Sequence, residues 1–285
     1  MKITEIINSD KPSLSFEVFP PKTTDNFDTV LGAVDKIAEL SPSYMSVTYG
    51  AGGGTSKYTA DISSRLLLRG VTPLAHLTCI SSSRSEVRSL LSDLKERGIE
   101  NILALRGDVI DGMRGKREYM YASELISEIR EMGGFTVGGA CYPEGHPESE
   151  SSDADIAALR LKIDAGCEFL TTQMFFDNNI LYNFLYRLLR RGISVPVVAG
   201  VMPVTNARQI KRIMDISGSR LPERFVRIVD RYGDNPAAMK QAGIAYATEQ
   251  IIDLYANGIN AVHVYSMNKP DIAAKIKENL SDIIG

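Results

Sequence analysis

Tryptophan is absent from the 285 residues, and cysteine and histidine occur only three times each. Cys79, Cys141 and Cys167 lie far apart in the chain. That number suits a reducing compartment rather than a disulfide framework, and each cysteine reads as a small buried hydrophobe. No CxxC and no HExxH occurs, and His76 and Cys79, spaced H-x-x-C, would point to opposite faces of a strand, so no metal site is expected. No apolar run approaches the roughly 18 residues that a membrane span needs. Met1 to Asp10 has no apolar core of a secretory signal, which makes the cytoplasm the expected location. Charge of one sign is also missing. Thirty-two basic residues against 35 acidic ones leave a net charge of −3, with no electrostatic reason to expect nucleic acid or an anionic membrane as partner.

What is present is an alternation. Short β-rich apolar runs fall at Leu14–Phe19, Tyr44–Tyr49, Thr72–Cys79, Ile102–Gly107, Thr136–Tyr142, Phe169–Phe175, Ser194–Met202 and Asn260–Ser266. Amphipathic helical stretches separate them, from Asp25–Leu40 to Pro236–Ala256. Gly70, Gly98, Gly133, Gly166, Gly192 and Gly258 each stand just past a helix, at the position where a left-handed residue closes it. Eight strands alternating with helices predict a parallel sheet, and closing it gives a (β/α)8 TIM barrel, with a doubly wound open sheet as the alternative. Such a barrel takes roughly 250 residues, so residues 1–285 are expected to form a single catalytic domain. The loops Asp108–Arg117 and Pro143–Ser152 follow strands and should lie on the active face. Gly218–Asn235 is expected on the opposite face, unless Pro222–Tyr232 forms an extra helix.

Polar residues that interrupt the strands are the informative ones, because a carboxylate or amide buried without partners costs several kcal/mol. Leu74, His76 and Thr78 share a register, as do Ala104, Arg106 and Asp108, Thr171 and Gln173, and His263 and Tyr265. Glu17 stands mid-strand between aromatic residues. Desolvation there should raise its pKa and let it act as a general acid near neutrality. A structural glutamate paired with Arg or Lys is the other reading. Asp108 ends its strand and reads either as a ligand contact at the barrel mouth or as a cap of the next loop. The run from Gly50 to Lys57 fails both the dinucleotide fingerprint and the P-loop pattern. No predicted strand holds a lysine, which argues against Schiff-base chemistry.

Six segments, in order, resemble the methylenetetrahydrofolate reductase family. They are Phe16-Glu17-Val18-Phe19-Pro20-Pro21-Lys22, Val47-Thr48-Tyr49-Gly50-Ala51, His76-Leu77-Thr78-Cys79-Ile80, Leu105-Arg106-Gly107-Asp108, Tyr142-Pro143-Glu144-Gly145-His146-Pro147-Glu148 and Thr172-Gln173-Met174-Phe175-Phe176-Asp177. The resemblance runs from about residue 3 to about residue 280 and implies a (β/α)8 flavoprotein. Such an enzyme uses FAD, takes hydride from NAD(P)H and reduces 5,10-methylenetetrahydrofolate to 5-methyltetrahydrofolate in a ping-pong scheme. It also implies a short bacterial type that works in one-carbon metabolism and methionine biosynthesis, without the regulatory domain of the animal enzymes. A homo-oligomer is expected.

Carried over residue by residue, the resemblance makes Glu17 the general acid and Asp108 a carboxylate shared by flavin and pterin. Gln173 contacts the pterin, and Thr48 faces the nicotinamide. FAD contacts are implied at Tyr49, Ala51, His76, Arg106, Gly107, Asp108, Tyr121, Ala140, Tyr142, His146, Asp155 and Lys162. Of these, Arg106, His146 and Lys162 suit pyrophosphate oxygens. Gln209 and Lys269 are implied folate contacts, Lys269 near the glutamyl tail. Two positions depart from the family pattern: Lys269 is often Arg, and Ile213 is aromatic in some members. The second departure keeps open an electron-donor partner protein in place of NAD(P)H. A barrel that only binds, without catalysis, is a further reading, against which Glu17, Asp108 and Gln173 stand together.

Overall fold

The computed structural model describes residues 1–21, 26–49, 56–108 and 118–285. The chain begins with a short helix, α1 (Ile3–Ile7), then β1 (Ser13–Val18), α2 (Phe27–Ala38), β2 (Met45–Val47) and α3 (Ser56–Leu68). It continues through β3 (Pro73–Thr78), α4 (Arg84–Glu96), β4 (Asn101–Leu105), α5 (Ala122–Met132), β5 (Thr136–Cys141) and α6 (Ser152–Asp164). Next come β6 (Phe169–Thr172), α7 (Asn178–Arg190), β7 (Val197–Val201), α8 (Ile210–Ser217), α9 (Glu223–Tyr232) and α10 (Pro236–Ala256). The last elements are β8 (Ala261–Val264), α11 (Pro270–Asn279) and α12 (Ser281–Ile284). The eight strands form a closed parallel barrel in sequence order. Closure is made by β1 against β8, with Ser15 opposite His263. The open-sheet alternative is thereby set aside.

Local chemistry explains the element ends. At α4, the Ser83 hydroxyl accepts from the Glu86 amide while the Glu86 carboxylate accepts from the Ser83 amide, a reciprocal cap. The six glycines expected to close helices all adopt positive φ, from 66° at Gly133 to 110° at Gly166.

Side chains on each strand alternate between two layers. The outward layer packs against the helices and includes Phe16, Val18, Met45, Val47, Ala75, Leu77 and Ala104. The inward layer includes Tyr44, Leu74, Leu103, Phe169 and Val198, with Ile3 and Ile7 of α1 packed against them as a plug. Asn101 ties that plug down: its Oδ1 accepts from the Ile3 amide at 2.9 Å and its Nδ2 donates to the Pro73 carbonyl at 3.3 Å. Sequence periodicity alone showed neither α1 nor α11.

One expectation needs correction. On β4 the inward residues are Leu103 and Leu105, not Ala104, since His76 pairs with Leu103. Arg106 and Asp108 lie past the strand end, where Gly107 has φ 85° and the alternation stops. Gly218–Asn235 does hold the extra helix that was the stated exception, α9, and it lies over the C-terminal face. The Ser219 hydroxyl donates to the Met174 carbonyl at 2.6 Å, and the Glu144 carboxylate accepts from the Arg220 amide at 3.1 Å. Eight-residue α8 spans only about 12 Å and cannot return the chain across the barrel, whereas 21-residue α10 spans about 31 Å and does.

Candidate active site

A cavity of about 850 Å³ opens at the C-terminal ends of the strands, near the upper end of the roughly 300–1,000 Å³ usual for ligand and cofactor sites. Glu17 from β1, His76 from β3 and Tyr265 after β8 meet at its inner wall. Strand alternation puts Ser15 and Glu17 on the inward face of β1, because Phe16 and Val18 fill the outer layer.

The Glu17 side chain keeps 16% exposure, directed at the cavity, and burial pushes its carboxyl up to about 8. The Ser46 hydroxyl within its reach opposes that rise. His76 Nε2 stands 3.8 Å from Glu17 Oε2, beyond hydrogen-bond length, and burial holds the imidazole down at about 3. The pair is therefore a neutral acid beside a neutral ring, not an ion pair. No Arg or Lys partners Glu17 among the described residues. Tyr265 donates its hydroxyl to the Thr172 carbonyl.

The outer wall carries the donors. Arg106 forks onto Glu148 at 2.6 and 2.7 Å. The ring nitrogen Nδ1 of His146 accepts from the Glu148 amide at 3.1 Å, so the neutral ring keeps its proton on Nε2. The same ring stands edge-on to Tyr142 with centroids 4.5 Å apart. Lys162 donates to the Ala140 carbonyl at 2.8 Å, and desolvation lowers its pKa against the pull of nearby Asp155. Burial raises the Asp155 carboxyl. Gln173 accepts from the Met174 amide at 2.9 Å through Oε1, which turns its NH2 outward as a donor. Thr171 Oγ1 is buried without a partner at the cavity wall.

Thr48, Tyr49, Gly107, Asp108 and Tyr121 also line the cavity, Asp108 and Tyr121 in exposed positions. Ala51 lies outside the described residues, and Gln209 is described only as part of the turn Ala207–Gln209. Lys269 is not at the cavity: it caps α11, with Nζ 3.4 Å from Thr205 Oγ1. Ile213 sits half-buried on α8, also away from the cavity. Sequence reasoning assigned no role to Ser15, Ser46, Glu148 or His263, although His263 stood in a recognised polar register. The chemistry of this wall suits a flavin dinucleotide, with a cationic fork, an imidazole N–H and a lysine for diphosphate oxygens and an unpartnered hydroxyl to spare. Among the described residues no group of His, Cys, Asp and Glu could hold a metal ion, and no helix is long and apolar enough to cross a membrane. All three cysteines are free and buried.

A parallel barrel with a cavity at the carboxyl ends of its strands defines the class of TIM-barrel enzymes. The methylenetetrahydrofolate reductase profile matches residues 2–281, and the chain belongs to that family of oxidoreductases. It is 36% identical to the 5,10-methylenetetrahydrofolate reductase of Pectobacterium carotovorum over 269 residues, covering 94% of this chain and 90% of that one. The Escherichia coli protein of the same name is 35% identical with the same coverage. Among solved structures, an uncharacterised Clostridium thermocellum protein that binds two copies of 5-methyl-5,6,7,8-tetrahydrofolic acid shares the fold. Its TM-score is 0.63 at 14% identity, over 99% of both chains.

Proposed function

We propose that this chain reduces 5,10-methylenetetrahydrofolate to 5-methyltetrahydrofolate with FAD as hydride carrier and NAD(P)H as donor, the two substrates occupying one place in turn. The observation that carries this reading is Glu17, a carboxyl that keeps its proton to about pH 8 while facing the cavity, in a chain of this family. Bound flavin supplies the two-electron chemistry that no side chain here offers. Arg106, His146 and Lys162 hold its diphosphate by charge-assisted donation, and Tyr49, Tyr121 and Tyr142 contribute contact area.

Glu17 gives its proton from the carboxyl oxygen to the departing ring nitrogen of the folate. The five-membered ring opens to an iminium carbon able to accept hydride. The Asp108 carboxylate at the mouth favours that developing cation. Gln173 orients the pterin through the NH2 that its own backbone contact turns outward.

The test is the visible spectrum of the purified protein with FAD under anaerobic conditions. Bleaching by NADH or NADPH and recovery on adding methylenetetrahydrofolate are expected. A flavin reduced by methyltetrahydrofolate but untouched by either nicotinamide would instead favour a partner protein as electron donor. Failure to take up FAD would sink the flavoprotein reading. Glu17→Gln should keep reduction by the nicotinamide and lose roughly 10²–10⁴-fold in folate reduction.

A further inference from the structure

The two flanks of β1 are held unequally. On one side β2 accompanies β1 to its end, with Glu17 opposite Ser46 and Val18 opposite Val47, and the Thr48 amide donates to the Val18 carbonyl at 3.0 Å. On the other side the pairing with β8 stops at Phe16 opposite Val264. The stretch from Glu17 to Phe19 therefore has a strand on one flank alone. Pro20 and Pro21 follow, and neither carries an N–H to continue a ladder.

Two side chains take over the missing flank. The Ser266 hydroxyl donates to the Glu17 carbonyl at 2.7 Å. The Asn268 side chain holds both backbone groups of Phe19: its Oδ1 accepts from the Phe19 N–H at 2.9 Å and its Nδ2 donates to the Phe19 carbonyl at 2.8 Å. One side-chain amide thus stands in for a neighbouring strand and satisfies groups that β8 leaves behind.

The chain bends against its own preference to make these bonds. Ser266 to Lys269 form a β-turn, closed by the Lys269 amide on the Ser266 carbonyl at 3.0 Å. Its central residues, Met267 and Asn268, have φ 54° and 53°. Glycine, asparagine and aspartate favour such positions. Asn268 fits, but Met267 carries a Cβ into the left-handed region, and its thioether makes no local hydrogen bond to offset the cost. A conformation of this kind persists where its surroundings over-determine it. Here they include the grip of Asn268 on Phe19.

We propose that Asn268 is a positioning residue for Glu17, with Ser266 as the second point of hold. Together they fix the backbone at Glu17 and Phe19, and so fix the point from which the Glu17 carboxyl reaches into the cavity. The carboxyl depends on this hold. His76 stands at 3.8 Å, beyond hydrogen-bond length, and no Arg or Lys grips the carboxyl among the described residues. Without the hold, the end of β1 moves off β8 and carries the carboxyl away from the departing nitrogen of the folate. This rests on Glu17 being the proton donor of the folate half-reaction.

Asn268→Gly separates the hold from the turn, because glycine keeps the left-handed backbone and deletes both bonds. Amide hydrogen exchange at Phe19, read on the full chain without turnover, should quicken roughly tenfold or more. An unchanged rate overturns the proposal. In the FAD-loaded chain, the flavin is reduced anaerobically and then mixed with methylenetetrahydrofolate. Reoxidation at saturating folate should slow roughly 10- to 100-fold, with the half-saturating concentration kept within about twofold. In a Glu17→Gln background the same substitution should cost less than about twofold, since the group it positions is already gone. An equal loss in both backgrounds, a loss confined to folate affinity, or no loss overturns the proposal. Ser266→Ala leaves the turn intact and should show the same pattern on a smaller scale. Should Asn268→Gly fail to fold, a Ser266→Ala loss that persists in full in the Glu17→Gln background, or no loss at all, overturns the proposal. Folate reduction at the parent rate by Glu17→Gln would withdraw the acid assignment and this inference with it. A slow Glu17→Gln beside an Asn268→Gly at the parent rate would remove the positioning role alone.

Discussion

Glu17 is a carboxyl held where its anion is disfavoured, and that has a cost in stability. Its ordinary value is 4.5 and its folded value about 8. Between those values the unfolded chain has released a proton that the folded chain retains. Stability from this group is therefore complete below about pH 4.5 and declines as the pH rises toward 8. Glu17→Gln removes the decline. In urea unfolding at about pH 7.5, relative to about pH 4.5, the variant should gain roughly 2–4 kcal/mol over the parent. Equal slopes would mean that Glu17 ionises normally. His76 and His263 act at the other end: depressed from 6.5 to about 3, they contribute stability above 6.5 that is lost as the pH falls through that window. Glu17 was legible because a carboxylate between aromatic residues on a strand is rare and expensive. The contact between Ser46 and His263 was not. Serine is unremarkable in a strand, and the two residues meet across 217 positions of sequence.

At the scale of elements, the arm between β7 and β8 is the departure from plain alternation. α9 buries Phe225 against Phe176, Val204 and Met239, a cluster separate from the barrel core. α10 passes so close to the chain after β7 that a Cβ at Gly243 would overlap the Val204 carbonyl. Glycine to alanine in a helix interior ordinarily stabilises by about 1 kcal/mol. Here the sign should reverse, and Gly243→Ala should lower the melting temperature, as calorimetry would show. An unchanged or raised melting temperature would mean that α10 is not seated on that carbonyl. The register of β4 escaped the sequence for a related reason. Counting by twos back from Asp108 assumes extended chain throughout, and the turn at Gly107 breaks it.

At the scale of the whole molecule, closure leaves no strand edge unpaired among the described residues: β1 hydrogen-bonds to both β2 and β8. A plug seals the end opposite the cavity, where Ile3 is fully buried. Ile3→Ala should cost roughly 2–4 kcal/mol, measured by urea unfolding, since the cavity it leaves is walled by strands that cannot collapse. A cost near zero would mean that α1 frays in solution. If residues 1–285 form one domain, transitions followed by far-ultraviolet dichroism and by tyrosine fluorescence should coincide. Two separated transitions would divide the chain.

Composition, periodicity and glycine punctuation determined the eight strands, most of the helices between them and the polar strand ends that form the site. Those signals are local, set by side-chain alternation and by which residues tolerate a left-handed turn. The resemblance of six short segments supplied the roles. Tertiary structure alone decided that β1 closes on β8, that the β7–β8 arm lies over the C-terminal face, and that Ser15 and Ser46 meet the two ring nitrogens of His263. These depend on contacts between residues far apart in sequence, and such contacts arise only when the sheet has closed and brought its first strand against its last.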